Sequence, residues 1–313
     1  MRAVTITEPN QLSVREHPDP EPGSGEVLVR IHAAGLNGAD LHQLAGRYPA
    51  PPGSPPDIPG LELAGEVVSN GPGAERFQPG DRVMGIVGGG GQAELATVHE
   101  RVLMPIPEEM DILAAGGVPE VFTTAHDALF TQAGLKMGER LLVHGGAGGV
   151  GTAAVQLARE AGARVMATVR NPDSRGPVAA LGAEVIAPEG FAEQGPFDVI
   201  LELVGAPNMP ENILALAICG RIAVIGIGAG AMAEVHLGAL LAKRAQIYGS
   251  MLRARPLEEK ALTARAMERY VLPLFVGGGL AVPVAARYPL DEAEAAYARF
   301  SEGGKFGKIV LTI

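Results

Sequence analysis

The chain has 313 residues, a formal net charge of −10 and a single cysteine, Cys219. Its length suits roughly two domains of about 150 residues each, and its acidic balance has the wrong sign for a reader of phosphate backbones, which excludes nucleic acid as the principal partner. One cysteine closes no intrachain disulfide and builds no cysteine-rich zinc lobe, so a reducing compartment fits.

The opening segment, MRAVTITEPNQLSVRE, alternates like a strand and lacks the apolar run of a secretory signal, which predicts a cytoplasmic protein. Up to about residue 118 the chain continues in short alternating runs, VLVRIHAAG, LAGEVVS, DRVMGIV and AELATVHE, divided by glycine and proline. That rhythm predicts an antiparallel β domain with few helices. The proline-rich stretch 49–60, PAPPGSPPDIPG, reads as a surface loop.

From about residue 139 strand and helix alternate: LLVHGG, VGTAAVQLAREAG, RVMATV, a helical segment ending LGA, VIAP, then FDVILELVG. Such an order calls for a parallel sheet with helices on both faces. GRIAVIGIG and AQIYGSML bring the strands to six, with HLGALLAKR as a short helix between them. Cys219, within LAICGRIAV, reads as a small buried hydrophobe. The longest uncharged apolar run, 222–233, is shorter than the ~18 residues that cross a bilayer. Beyond about residue 255 come a long amphipathic helix, EEKALTARAMERYVLPLFVGGG, a second helix, DEAEAAYARFSEG, and a closing strand, KIVLTI, which return to the first domain.

Residues 146–151 read G-A-G-G-V-G, directly after the strand LLVHGG and at the start of a helix. Gly146, Gly148 and Gly151 stand in the G-x-G-x-x-G spacing, with Ala147, Gly149 and Val150 between them. The first glycine permits a tight turn, the second lets backbone approach a pyrophosphate, and the third lets helix and strand pack closely. Strand, motif and helix together predict a dinucleotide site on a Rossmann doubly wound parallel sheet over 119–255. A mainly antiparallel β catalytic domain is predicted from 1–118 and 256–313.

A site that prefers NAD usually places Asp or Glu at the end of the second strand, where it binds the ribose hydroxyls. Here Thr168, Val169 and Arg170 stand in that place, followed by Asn171. Without a carboxylate, a 2′-phosphate meets no repulsion and finds the Arg170 guanidinium. The predicted cofactor is therefore NADPH, with Asp173 nearby as a partial offset to Arg170.

AAGLNGADLHQLAGRYPAPP at 33–52, IPGLELAGEV at 58–67, QPGDRVMGI at 78–86, HGGAGGVGTAAVQLA at 144–158 and GKIVLTI at 307–313 occur in the order found in one superfamily. The sequence resembles the medium-chain dehydrogenases/reductases, specifically their zinc-free NADPH:quinone oxidoreductase branch, the zeta-crystallin-like proteins. GSMLRAR at 249–255 and GGGGQAELATV at 88–98 are most similar to its stress-inducible members. The resemblance implies that the β domain is GroES-like. Zinc-dependent relatives carry a catalytic cysteine where this chain has Leu36-Asn37, and a G-H-E motif where it has Gly60-Leu61-Glu62. A catalytic zinc needs three convergent protein ligands, which Asp40 and Glu62 alone do not supply. No metal is predicted.

The resemblance places Asn37, Asp40 and Tyr48 toward the nicotinamide and Thr124 against the cofactor. It also gives backbone contacts near the nicotinamide to Gly226 and Ile227, and to Gly249, Ser250 and Met251. Asn37 and Tyr48 are candidate donors to an acceptor oxygen, and Asp40 a group that orients Asn37 or its loop. Each has a plainer reading: Asp40 as a helix cap, Tyr48 as loop packing, Asn37 as a turn residue. Arg253 reads equally as reaching a substrate mouth or as a solvated surface residue.

Without a metal to ionise an alcohol, hydride transfer to an already electrophilic acceptor is the economical chemistry. The expected function is thus NADPH-dependent reduction of a quinone-type small molecule. The alternatives are an enoyl thioester or enone reductase of the same fold and a non-catalytic NADPH-binding protein. The resemblance also implies a homodimer formed through the terminal sheet strand, with no membrane partner.

Overall fold

In the computed structural model, which describes residues 1–313, the alternating runs of the first third are strands. A hairpin, β1 (Arg2–Glu8) and β2 (Gln11–Glu16), precedes β3 (Glu26–Gly35). Val27, Val29, Ile31 and Ala33 all point from β3 to one buried face, the period-2 pattern read from the sequence. The chain continues through α1 (Gly38–Leu44), β4 (Glu62–Asn70), β5 (Arg82–Ile86), β6 (Leu95–His99) and β7 (Leu103–Pro105), then α2 (Ile112–Ala115) and α3 (Pro119–His126). Pairing among these strands is antiparallel throughout. Leu63, Val67, Phe77, Val83 and Leu103 join the β3 valines in one core.

A βα alternation follows: β8 (Arg140–His144), α4 (Gly149–Glu160), β9 (Arg164–Thr168), α5 (Arg175–Ala180), β10 (Glu184–Ile186) and β11 (Phe197–Glu202). Then come α6 (Met209–Ala215), β12 (Leu216–Val224), α7 (Leu237–Lys243) and β13 (Gln246–Gly249). The six strands form one parallel sheet in the order β10-β9-β8-β11-β12-β13. The order reverses between β8 and β11, which makes the ends of those strands the place where such sheets bind ligands. This is a Rossmann doubly wound sheet. Three alanines of α4, Ala153, Ala154 and Ala158, are fully buried.

The chain closes with α8 (Leu257–Tyr270), α9 (Leu272–Val276), β14 (Val284–Pro289), α10 (Ala293–Glu302) and β15 (Lys308–Thr312). β15 pairs antiparallel with β3 and parallel with β14, which completes a sheet ordered β14-β15-β3-β4-β5-β7 with β6 also on β3. By contacts the chain divides into a first unit, Met1–Thr123 with Leu252–Gly303 and Gly307–Ile313, and a second, Thr124–Met251 with Gly304–Phe306. No helix is long and apolar enough to cross a membrane.

Two expectations need correction. The single long helix after residue 255 is two, because Pro273 lacks the N–H that would continue the ladder and the backbone departs from helix at Val271. Cys219 is exposed rather than buried. It sits at φ 61° where β12 slips register against β11, from Phe197↔Leu216 to Val199↔Arg221, so Ile218 and Cys219 bulge away from the sheet.

Candidate active site

The second unit holds its candidate site in the turn between β8 and α4. Gly145 takes a left-handed φ of 74°, and its neighbour Gly146 donates its N–H to Thr168 O at 3.1 Å. A Cβ on Gly146 would stand 2.8 Å from Ala167 Cβ, and one on Gly151 would stand 2.4 Å from Gly145 O. Those two glycines are therefore fixed by packing. Gly148 differs: a Cβ there would meet nothing closer than Gly145 O at 3.6 Å, so its missing side chain opens the turn outward. Ala147, Gly149 and Val150 are half-buried beside it. The first amides of α4 have no partner within the helix, and with the helix dipole they present a partial positive charge to an anion.

Beneath the turn runs a buried polar chain. Glu202 Oε1 accepts the N–H groups of Val204 at 2.7 Å and Gly205 at 2.8 Å, and its Oε2 accepts from Asn212 Nδ2 at 2.8 Å. Asn212 thus turns Oδ1 to His144 Nε2 at 2.8 Å. This network assigns the His144 proton to Nε2 and leaves Nδ1 to accept from the Thr168 hydroxyl at 3.1 Å, whose oxygen in turn accepts Gly145 N–H at 3.3 Å. Burial pushes the imidazole pKa down, which favours this neutral form. A fully buried carboxylate on β11 thereby fixes the β8–α4 turn through one amide and one imidazole. The sequence did not disclose this, because the link that joins its two halves, Asn212 to His144, spans 68 residues of the chain.

At the end of β9, Arg170 is exposed and no carboxylate follows Thr168 on the strand. Arg175, which the sequence reading passed over, donates Nε to Val169 O at 3.1 Å and brings a second guanidinium to that strand end. Asn171 accepts Asp173 N–H and donates to Gly304 O at 3.0 Å, so its amide is engaged in local structure. Thr124 is buried in α3. Gly226 lies so near Leu203 that a Cβ would stand 2.2 Å from its carbonyl oxygen. Ile227 and Met251 are exposed, Gly249 is open on its Cβ side, and Ser250 donates its hydroxyl to Asp127 Oδ2 at 2.6 Å.

The first unit gathers a different set. Asn37 is the N-cap of α1, and Asp40 in the first turn accepts Asn37 N–H at 2.8 Å and Gly60 N–H at 3.2 Å. Asn37 Nδ2 donates to Gly35 O at 3.2 Å and Glu62 Oε1 at 2.9 Å, while Oδ1 accepts from Lys308 Nζ at 2.7 Å. Both amide hydrogens are committed. Lys308 also donates to Leu36 O at 2.8 Å and Glu62 Oε1 at 2.6 Å, and Glu62 Oε2 accepts the Glu120 N–H at 2.8 Å. Glu62 and Asp40 are fully buried.

Glu120 Oε2 has no partner. Lys308 pairs with Glu62 alone and reaches Asp40 and Glu120 only through its charge. Burial first, and then the neighbouring Glu62 charge, push the Glu120 pKa up to about 8. Burial also raises Asp40 to about 7 against the pull of the Asn37 N–H and Lys308. Lys308 lies 246 positions from Glu62 in sequence, which is why no local pattern revealed the cluster.

Tyr48 is half-buried, and its hydroxyl makes no hydrogen bond within the chain. Burial raises its pKa and the Arg253 charge opposes this, so the phenol stays protonated. Arg253 is buried, not solvated. It donates Nε to Gly88 O at 2.7 Å, NH1 to Tyr48 O at 3.1 Å and NH2 to Gln43 Oε1 at 2.6 Å, and its guanidinium lies 4.8 Å from the Tyr48 ring centroid. It holds the Tyr48 loop.

Residues 23–108 match the alcohol dehydrogenase GroES-like domain and residues 149–268 match the zinc-binding dehydrogenase domain. The quinone oxidoreductase of Rattus norvegicus is 32% identical over 100% of this chain and 98% of its own length. The chain belongs to the zeta-crystallin-like quinone oxidoreductases of the medium-chain dehydrogenase/reductase superfamily. This oxidoreductase is also similar, at 30% identity over 100% of both chains, to an acryloyl-coenzyme A reductase of Metallosphaera sedula. A mycobacterial structure complexed with NADPH superposes with a TM-score of 0.88 at 27% identity, covering 100% of both chains.

Zinc, after which the family matched by the second domain is named, finds no donor set in this chain. Asn37 and Leu61 bring no ligand where zinc-dependent relatives carry cysteine and histidine. Glu62, the remaining candidate, is held by an ammonium, an amide and a backbone N–H. No group of three or more His, Cys, Asp and Glu side chains is disposed to hold a metal ion. The donor set does not fit zinc.

Proposed function

We propose that this oxidoreductase uses NADPH to reduce a quinone-type acceptor, without zinc. The observation that carries the reading is the pairing at Glu62: Lys308 neutralises this carboxylate, and Asp40 and Glu120 alone fall short of the three ligands that a metal able to ionise an alcohol requires. An acceptor that needs no such activation suits the site.

When bound, NADPH supplies a hydride from nicotinamide C4. The β8–α4 turn would hold its pyrophosphate, with the N–H groups of Gly149, Val150 and Gly151 at the start of α4 as backbone donors and the His144 chain keeping the turn in shape. Arg170 and Arg175 would pair with the 2′-phosphate, and Thr124, Gly226, Ile227, Gly249, Ser250 and Met251 would line the nicotinamide end. Tyr48, a phenol with a free hydroxyl, would donate to the acceptor oxygen as negative charge develops there. Asn37 acts as a strut: its amide bridges Lys308 and Glu62 and caps α1, and Asp40 fixes that cap.

A second reading, an enoyl thioester reductase, is favoured by the acryloyl-coenzyme A reductase relative. That reaction needs a proton at carbon, which makes Tyr48 essential. NADPH and NADH oxidation against quinones, enones and a crotonyl thioester separates the readings: quinone turnover that survives Tyr48→Phe supports the first, and thioester turnover abolished by it supports the second. Binding of NADPH with no acceptor reduced would leave a non-catalytic protein.

Assembly as a cytoplasmic homodimer belongs to the same proposal. β13 is an edge strand with Ile247 partly exposed, and Leu241 and Met232 are 80% and 91% exposed in the same unit. A mass in solution near twice 32.3 kDa supports it, and a monomer refutes it.

A further inference from the structure

In the first unit a cavity of about 440 Å³ opens between the Pro52–Pro55 turn, the glycine run Gly88–Gly90 and the start of α8. Nothing derived above uses it. Its size is that of a small-molecule site. One wall is apolar, with Ile58, Ile86 and Leu257. The rest of the lining carries the cations Arg255 and Lys260 against one carboxylate, Glu26, whose Oε2 already accepts Gly23 N–H at 2.9 Å. In a chain of net charge −10 this is a locally positive hollow.

Lys260 is the decisive group. It is half-buried, makes no side-chain hydrogen bond or ion pair, and has Arg253 as its charged neighbour. Burial and that like charge both depress its pKa, so the ammonium stands there at a cost. The two glutamates that precede it on α8 do not relieve it: Glu258 pairs with Arg101 and Glu259 lies 4.0 Å from Arg255. A half-buried cation without a counter-charge, lining a cavity with an apolar wall, is the complement of an oxyanion carried on a flat carbon body.

We propose that this cavity binds the anionic group, sulfonate, carboxylate or phosphate, of an acceptor whose body is aromatic or otherwise apolar, with Lys260 as the pairing cation. That the ligand is an acceptor rests on the quinone reading above; that the cavity takes an organic anion does not. The two parts are tested separately.

Calorimetric titration with naphthalene sulfonate, which cannot be reduced, tests the cavity alone. Its binding is expected to weaken about tenfold in Lys260→Met and to persist in Lys260→Arg, while uncharged naphthol binds all three proteins alike. Unchanged NADPH affinity shows that the variants are folded. Equal binding of sulfonate and naphthol, or sulfonate binding indifferent to Lys260→Met, overturns the cavity.

Steady-state kinetics then test the acceptor. KM for a naphthoquinone sulfonate is expected to rise about tenfold in Lys260→Met with kcat unchanged, and KM for plain naphthoquinone to stay constant. A coenzyme A thioester compared with its N-acetylcysteamine analogue asks whether phosphate is read in the same way. KM values for both charged substrates insensitive to Lys260→Met overturn the acceptor assignment. If sulfonate binds through Lys260 yet no acceptor is turned over, the proposed function fails and the cavity stands.

Discussion

The two units build their candidate sites from different materials. In the second unit the turn after β8 is made of backbone, and its side-chain support, His144, Asn212 and Glu202, is buried beneath. In the first unit the site is made of side chains: Asn37, Asp40, Glu62, Glu120 and Lys308 form a largely buried cluster held by hydrogen bonds and one ion pair. The difference teaches how each is vulnerable. A backbone cradle fails when a Cβ fills it, whereas a charge cluster fails when one member is left without its counterpart.

The largest expected effect comes from the cluster. Lys308→Met leaves Glu62, which is fully buried, with no cation, and should cost about 3–5 kcal/mol in denaturant unfolding. The double variant Glu62→Gln/Lys308→Met should recover much of that loss. A single variant as stable as the parent would show that the pair holds no buried charge. The cradle is next: Gly151→Val should weaken NADPH binding roughly 100-fold, about 2.7 kcal/mol, because its side chain collides with the Gly145 carbonyl. An unchanged circular dichroism spectrum separates this from misfolding, and undiminished binding would remove the cradle from the account.

Arg170→Ser should raise KM for NADPH about tenfold and leave NADH unaffected, since one guanidinium contact to phosphate is lost while Arg175 remains. Equal use of both cofactors by the parent would contradict it. The smallest effect is in pH. Asp40 near 7 and Glu120 near 8 lie above their ordinary values of 3.8 and 4.5, so the folded chain keeps protons that the unfolded chain has released. Stability should therefore fall as pH rises through that window and be greater on its acidic side. Glu120→Gln should flatten the upper part of this slope by about 2 °C in Tm between pH 6 and 9. A parent that becomes more stable over the same range would show that Glu120 is ionised throughout.

The same contrast explains what the sequence disclosed. The glycine spacing at 146–151 and the six-strand alternation are local patterns, legible because periodicity and turn chemistry act over a few neighbours. The Asp40 cap was legible as one of two readings for the same reason. Glu120 and Lys308 carried no such mark: both meet Glu62 on β4 across long sequence separations, Lys308 through the antiparallel return of β15 along β3. The break at Pro273 and the exposure of Cys219 are hidden from composition, because a single residue and a single register slip decide them against an apolar background.

The most direct test is a single turnover. Enzyme loaded with one equivalent of NADPH and dialysed against a chelator is mixed with para-benzoquinone, and the reduced nicotinamide signal is followed with the hydroquinone formed. The account predicts that the signal decays and one hydroquinone appears per NADPH consumed, with added zinc making no difference. Failure to bind NADPH, or a turnover that vanishes on chelation and returns with zinc, would contradict it.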